Sequence, residues 1–330
     1  MATSLHIFSL TAADPHKIRE AHMTALDRRT LMAATVASIA TPATLGAKEC
    51  STMDWITMSL EARNLAYNNV EHVGPEDARK KTEGWAAASQ TLREQRPKHL
   101  DLAYGNGERN RWDLYPANNP KAPCFVHIHG GYWQRGSKEI FACLSEGPLA
   151  RGWSAALCAY TLAPEATLTQ ITNELKSAFD WLNAKASEHG IQGPIIVTGW
   201  SAGGHLTSFI LDHPKVAAGL AISGVFDLGA LRDSPHVNDK VKLSEEEIQN
   251  LSPMRRPIVN KPLGIAYGTG ELPAMIASSR DYHAYRSQGH VPGDLIPIAN
   301  TNHFTILDEL RQPNSTLTRA VIAMAEYQIA

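Results

Sequence analysis

Eight short runs of strand-forming residues, most of them followed by a glycine turn or a segment of helical period, set the strongest limit on how this chain of 330 residues can fold. The runs are HLDLAYG (99–105), RWDLYP (111–116), PCFVHIHG (123–130), SAALCAYTL (154–162), PIIVTGW (194–200), AAGLAISGVF (217–226), PLGIAYGTG (262–270) and DLIPIAN (294–300). Between the later ones, residues 138–150, 167–188, 202–212, 274–287 and 303–328 carry apolar residues at helical spacing. Such alternation builds an α/β fold: an eight-stranded, mostly parallel sheet with helices on both faces and a small helical cover. The first two runs are separated only by NGERN, which predicts an antiparallel hairpin. Residues 53–96 are polar with helical period and are expected to form a rim, with Leu60, Ala66, Trp85, Ala88 and Leu92 facing inward. The segment 227–258 is read as an insertion covering part of a site. With no repeat or linker after residue 50, residues 53–330 are expected to be a single domain.

Residues 1–52 stand outside that pattern. Arg28 and Arg29, followed by an Ala/Thr-rich run ending in LGA, resemble a twin-arginine export signal, so a periplasmic destination is expected. The alternative is a cytoplasmic protein starting at Met53. The run is too short and too polar to span a membrane. Thirty-one Lys and Arg against 33 Asp and Glu give a net charge of −2, which supplies no field for nucleic acid or an acidic membrane and favours a small neutral substrate. Cys50, Cys124, Cys143 and Cys158 show no CxxC spacing, and Cys124 and Cys158 fall in strand-like runs, where buried reduced thiols are expected. The histidines form no HxxxH or HExxH pair, so neither a metal site nor a cofactor is assigned. Oligomeric state is left open, a homodimer included.

Chemistry is expected at strand exits, where ligands gather in sheets of this class. GWSAGGH (199–205) follows the fifth run, and Gly-x-Ser-x-Gly is the pattern of a turn that lifts a serine hydroxyl above a helix N-terminus. Ser201 is therefore the candidate nucleophile. A serine needs a base, and His303 follows the last strand at the exit edge, whereas His205 lies too close along the same helix. The imidazole needs a carboxylate: Glu271 closes the seventh strand and leads, Asp281 is the alternative, and Asp294 starts a strand at the wrong edge. HGGYW (129–133) leaves the third strand, so the N–H groups of Gly130 and Gly131, joined by that of Ala202, can form an oxyanion hole that His129 braces.

Together HIHGGYWQRG, YTLAPEA, GWSAGGHL, ISGVFDLGAL, LSP and NHF, with LAYNN near the start, resemble the arylformamidase (kynurenine formamidase) branch of the hormone-sensitive-lipase-like α/β-hydrolases from about Met53 onward. The resemblance implies a serine hydrolase with Ser201 as nucleophile, Glu271 as acid and His303 as base, and Gly130, Gly131 and Ala202 around the oxyanion. Glu271 stands where many relatives carry Asp, and Trp200 fills an elbow position often occupied by His or another small or polar residue. The implied reaction is hydrolysis of N-formylkynurenine or a related aryl formamide or arylamide. Formyl is a minimal acyl group, so selection falls on the aromatic side, where Tyr132, Trp133 and Trp200 are candidate substrate-binding surfaces; core packing is their alternative role. A carboxylesterase for short acyl esters is the near alternative. A non-catalytic binding protein on the same fold is the distant one, disfavoured because no component of the triad is missing.

Overall fold

Burial on both faces explains why the central strands read as unbroken apolar runs. In the computed structural model, which describes residues 57–327, every residue of β3 (Cys124–Ile128), β4 (Ser154–Cys158), β5 (Ile195–Trp200) and β7 (Leu263–Gly268) is buried. With β1 (Leu102–Ala103), β2 (Arg111–Tyr115), β6 (Val216–Ile222) and β8 (Leu295–Ile298) they form one eight-stranded sheet in the order β1-β2-β4-β3-β5-β6-β7-β8. β1 pairs antiparallel with β2, and β2 with β4; all later pairings are parallel. All eight expected strands are present, as is the hairpin. The twin-arginine segment, Cys50 and Met53 lie outside the described residues.

Three helices precede the second strand: α1 (Leu60–Ala66), α2 (Asn69–Val73) and α3 (Pro75–Gln95). After β3 come α4 (Lys138–Phe141) and α5 (Glu146–Ala150), linked by a 3-10 turn at Ala142–Ser145. Then follow α6 (Leu168–Lys185), α7 (Ala202–Ile210), α8 (Pro235–Val241), α9 (Glu245–Leu251), α10 (Pro273–Ser287) and α11 (Thr316–Glu326). The period-2 rule sorts the strands onto two cores. Val126, Ile128, Ile195 and Val197 pack with Leu175 of α6, Leu206 of α7 and Met275 of α10. Phe125, Leu157, Ile196 and Leu220 pack with Trp85 and Leu92 of α3 and with Leu317 and Val321 of α11.

Three expectations are corrected. Leu60 is 53% exposed, and α1 buries none of its residues; Trp85 and Leu92 are buried, while Ala66 and Ala88 are partly so. The stretch 303–328 is not one helix: a 3-10 segment at Thr305–Arg311 ends before Pro313, which lacks the N–H a helix interior needs. Ser315 then caps α11 by accepting from Thr318 N–H at 3.1 Å. Finally, α2 and α3 supply wall residues to the cavity beside Ser201, and the segment 227–258 supplies none. That segment braces the far side of the 131–134 loop instead, where Gln134 donates to Val237 O at 2.5 Å.

Candidate active site

Ser201 sits between β5 and α7 with φ 57° and ψ −118°, a backbone conformation that non-glycine residues rarely occupy. Its neighbours hold it there. Ser201 N–H donates to Ile222 O of β6 at 2.8 Å, and His205 N–H returns the first hydrogen bond of α7 to Ser201 O at 3.1 Å. The two flanking glycines are required by contact: a Cβ on Gly199 would stand 2.2 Å from Gly203 O, and one on Gly203 would stand 2.0 Å from Ile128 O. The serine is thus driven up at the C-terminal end of the sheet, above the unpaired N–H groups that open α7.

The loop after β3 comes against the same point. A Cβ on Gly130 would lie 2.5 Å from Trp200 O and 3.1 Å from Ser201 Cβ. Gly131 has φ 112°, and Tyr132 and Trp133 follow with φ of 56° and 57°. Such a run of left-handed residues needs external bracing. Tyr132 OH donates to Tyr67 O at 2.8 Å, and Trp133 is buried against His205, edge to face at 5.1 Å. His129 Nδ1 donates to Gly130 O at 2.9 Å while its ring stacks on Tyr160 at 4.4 Å, as its bracing role requires. Gly130, from the loop after β3, and Ala202, which opens α7, therefore meet Ser201 from two elements, and Gly131 lines the same cavity.

His303 follows β8, and Asn302 shapes its turn by accepting from Phe304 N–H (3.0 Å) and Thr305 N–H (2.9 Å) through Oδ1. Trp200 Nε1 donates to His303 O at 2.7 Å, and their rings lie 4.9 Å apart. His303 Nδ1 is 3.0 Å from Glu271 Oε2, both side chains being buried. Glu271 Oε1 accepts from Ser223 Oγ and from Gly268 N–H, each at 2.6 Å. A carboxylate in this setting accepts from every side, so Nδ1 carries the proton and Nε2 keeps its lone pair; the tautomer is assigned from the hydrogen bonding. Glu271, not Asp281, is the carboxylate bonded to His303.

Ser201 and His303 open onto one cavity of about 380 Å³, within the span of small-molecule sites. Val70, Ala78, Ile140, Phe141, Trp200 and Phe304 make much of its wall apolar, and Tyr132, Arg79, Glu83 and Arg135 also line it. Trp133, expected at the substrate, does not line the cavity: the tight turn points consecutive residues apart, and its ring goes to the core. Ser223, Asn302 and Asn69 carry no signal of their own in the sequence: they lie in ISGVFDLGAL, NHF and LAYNN, which do not show what these side chains do. Among the described residues no group of three or more His, Cys, Asp or Glu is placed to hold a metal ion, and Cys124, Cys143 and Cys158 are buried free thiols. Among them, too, no helix is long and apolar enough to cross a membrane.

Three histidines around the site are buried and starved of solvent. Desolvation pushes His127 down to about 3 and His129 and His205 down to about 4. In the unfolded chain they take up protons near pH 6.5, so between about pH 6.5 and 4 the unfolded state binds more protons and stability falls as pH falls. Each contributes a slope of roughly 1.4 kcal/mol per pH unit in that window, and stability is complete above it. The urea midpoint should therefore drop steeply from pH 7 to pH 5, and His127→Asn should make the drop shallower. Equal midpoints at the two pH values would contradict the assignment of these three rings as neutral.

The BD-FAE family profile matches residues 112–244. A kynurenine formamidase from Danio rerio is 24% identical over 298 residues, covering 82% of this chain and 98% of that protein. One from Drosophila melanogaster is 28% identical over 239 residues, covering 66% of this chain and 78% of its own. The crystal structure of a candidate thioesterase from Silicibacter sp. superposes with a TM-score of 0.69 at 29% identity, over 78% of this chain and 98% of that one. With the strand order and the elbow described above, these similarities make the chain an α/β-hydrolase similar to the arylformamidase branch, an enzyme that hydrolyses bonds of the formamide or ester type.

Proposed function

We propose that the enzyme cleaves aryl formamides of the N-formylkynurenine type, or closely related arylamides, through an acyl-enzyme on Ser201. The observation that carries this reading is the buried Glu271–His303 pair opening with Ser201 onto one aromatic-walled cavity. Ser201 Oγ attacks the carbonyl carbon as its proton passes to His303 Nε2, and the carbonyl electron pair moves to oxygen, facing the N–H groups of Gly130, Gly131 and Ala202. The C–N bond then breaks, its electron pair staying on nitrogen, which takes the proton from Nε2 and departs as the amine. Water attacks the formyl ester with the same histidine as base, releasing formate and restoring Ser201. Trp200, Phe141 and Tyr132 offer flat surfaces to the aryl group, while the formyl group needs little room. The kynurenine formamidases among the relatives favour this substrate class.

The thioesterase similarity favours a second reading, a short-chain esterase using the same residues. Parallel kcat/KM values for N-formylkynurenine, an arylamide panel and p-nitrophenyl acetate and butyrate separate the two. The formamide is expected to lead after each value is divided by the substrate's own hydroxide-catalysed rate. Esters exceeding it by orders of magnitude on that scale would overturn the formamidase reading in favour of the esterase.

A further inference from the structure

Among the described side chains that line the cavity, Asn69 is the one with a buried polar atom left without a hydrogen-bond partner. It enters the wall from the start of α2, is 1% exposed, and its Oδ1 is buried with no hydrogen-bond partner. Its other polar atoms are engaged. The N–H is shared between Tyr132 OH and Tyr67 O, each at 3.2 Å, and Nδ2 lies 3.5 Å from both Tyr67 O and Tyr132 OH. Because a main-chain carbonyl only accepts, the nitrogen of the side-chain amide must be the atom facing Tyr67 O, and the oxygen must be the one turned away from it. Native interiors seldom leave a carbonyl oxygen unmatched, and one carried by a residue that lines a cavity invites a donor brought by a ligand. The preceding residues hold the group in place: Asn68 Oδ1 caps α2 by accepting from Glu71 N–H at 3.2 Å, and Tyr67 O anchors Tyr132.

We propose that Asn69 Oδ1 accepts the N–H of the scissile amide and is the residue that selects amides over esters; this rests on Ser201 being the nucleophile. When the bond from Oγ to carbon forms, the amide nitrogen loses conjugation and becomes pyramidal. Its lone pair must then point at the proton on His303 Nε2 before the C–N bond can break. An acceptor for the N–H sets where the hydrogen points and therefore where the lone pair points. An ester oxygen has two lone pairs and no hydrogen, so it gains nothing from Asn69 and leaves Oδ1 unmatched. Sites built to hydrogen-bond an N–H discriminate against analogues without one for this reason.

The test compares the full chain with Asn69→Ala and Asn69→Leu on formanilide, N-methylformanilide and phenyl formate. In both variants the formanilide-to-formate ratio of kcat/KM is expected to fall about 10- to 100-fold, the scale of one buried hydrogen bond to a reacting group. The N-methylformanilide-to-formate ratio should not fall. A role confined to holding Tyr132 would lower all three substrates together and leave both ratios unmoved, which would overturn the proposal. Should neither variant fold, the unaltered enzyme still decides: after correction for hydroxide-catalysed rates it must favour formanilide over N-methylformanilide, and equal values would overturn it. An enzyme labelled at Ser201 by a fluorophosphonate but with unmoved ratios refutes Asn69 alone. No labelling and no turnover refutes the nucleophile as well.

Discussion

Ser201→Ala is expected to lower kcat by about a million-fold, the scale on which removing one member of a serine triad acts. Binding should survive, because the aromatic wall and Arg79, Glu83 and Arg135 are untouched. Stability should survive too. The serine hydroxyl makes no capping bond to α7, and the strained turn is held by main-chain bonds from Ser201 N–H and to Ser201 O, which alanine keeps. The effect should not add to that of His303→Ala: a base without its nucleophile has nothing to deprotonate, so the double variant should be no slower than either single one. Steady-state kinetics on a formamide and an ester, with fluorophosphonate labelling and a thermal melt, checks each part. A Ser201→Ala enzyme retaining a tenth of wild-type turnover would remove this residue from the chemistry.

The parts of this site that could be read in advance are those written in main-chain geometry. Gly199 and Gly203 announce a close approach, Gly130 and Gly131 announce a turned loop, and a serine or histidine just past a buried run must lie at the sheet's functional edge. Ser223 announces nothing locally. It becomes the second donor to Glu271 only because β6 and β7 are neighbours in the parallel sheet, which brings together two side chains 48 residues apart. The same applies to Asn69, whose meaning depends on Tyr132, 63 residues away. Tyr132 and Trp133 are alike in composition and backbone angle, yet one ring reaches the cavity and the other the core. A hydroxyl that can find Tyr67 O, and an indole that fits against His205, decide between them, and neither partner is near in sequence. The cover differs from the sequence expectation for a related reason: 227–258 and 69–83 are both helical and polar, and only packing tells which one meets Ser201.

Glu271→Gln is expected to cost about 10⁴-fold in kcat with little change in KM, and the reason lies in which way the new amide must face. Gly268 N–H can only donate, and it points at Oε1, so the glutamine oxygen is held there with Ser223 Oγ beside it. The NH₂ group is then left opposite His303 Nδ1, at the place of Oε2. A nitrogen meeting a donor must accept, so Nδ1 gives up its proton and Nε2 carries one. That tautomer cannot take the proton of Ser201, although every heavy atom stays in place. Glu271→Asp keeps the charge but is shorter by one methylene; it should lose less than Glu271→Gln, because the tautomer is preserved and only the hydrogen bonds lengthen. Ser223→Ala should lose least, since it removes one of three donors to the carboxylate and leaves the bond to His303. The order Gln worst, then Asp, then the Ser223 variant, read from kcat and from the rate of fluorophosphonate labelling, distinguishes a tautomer-setting carboxylate from a buried structural charge. A merely structural Glu271 would instead show losses that track the fall in melting temperature, with the uncharged isostere Gln the mildest of the three.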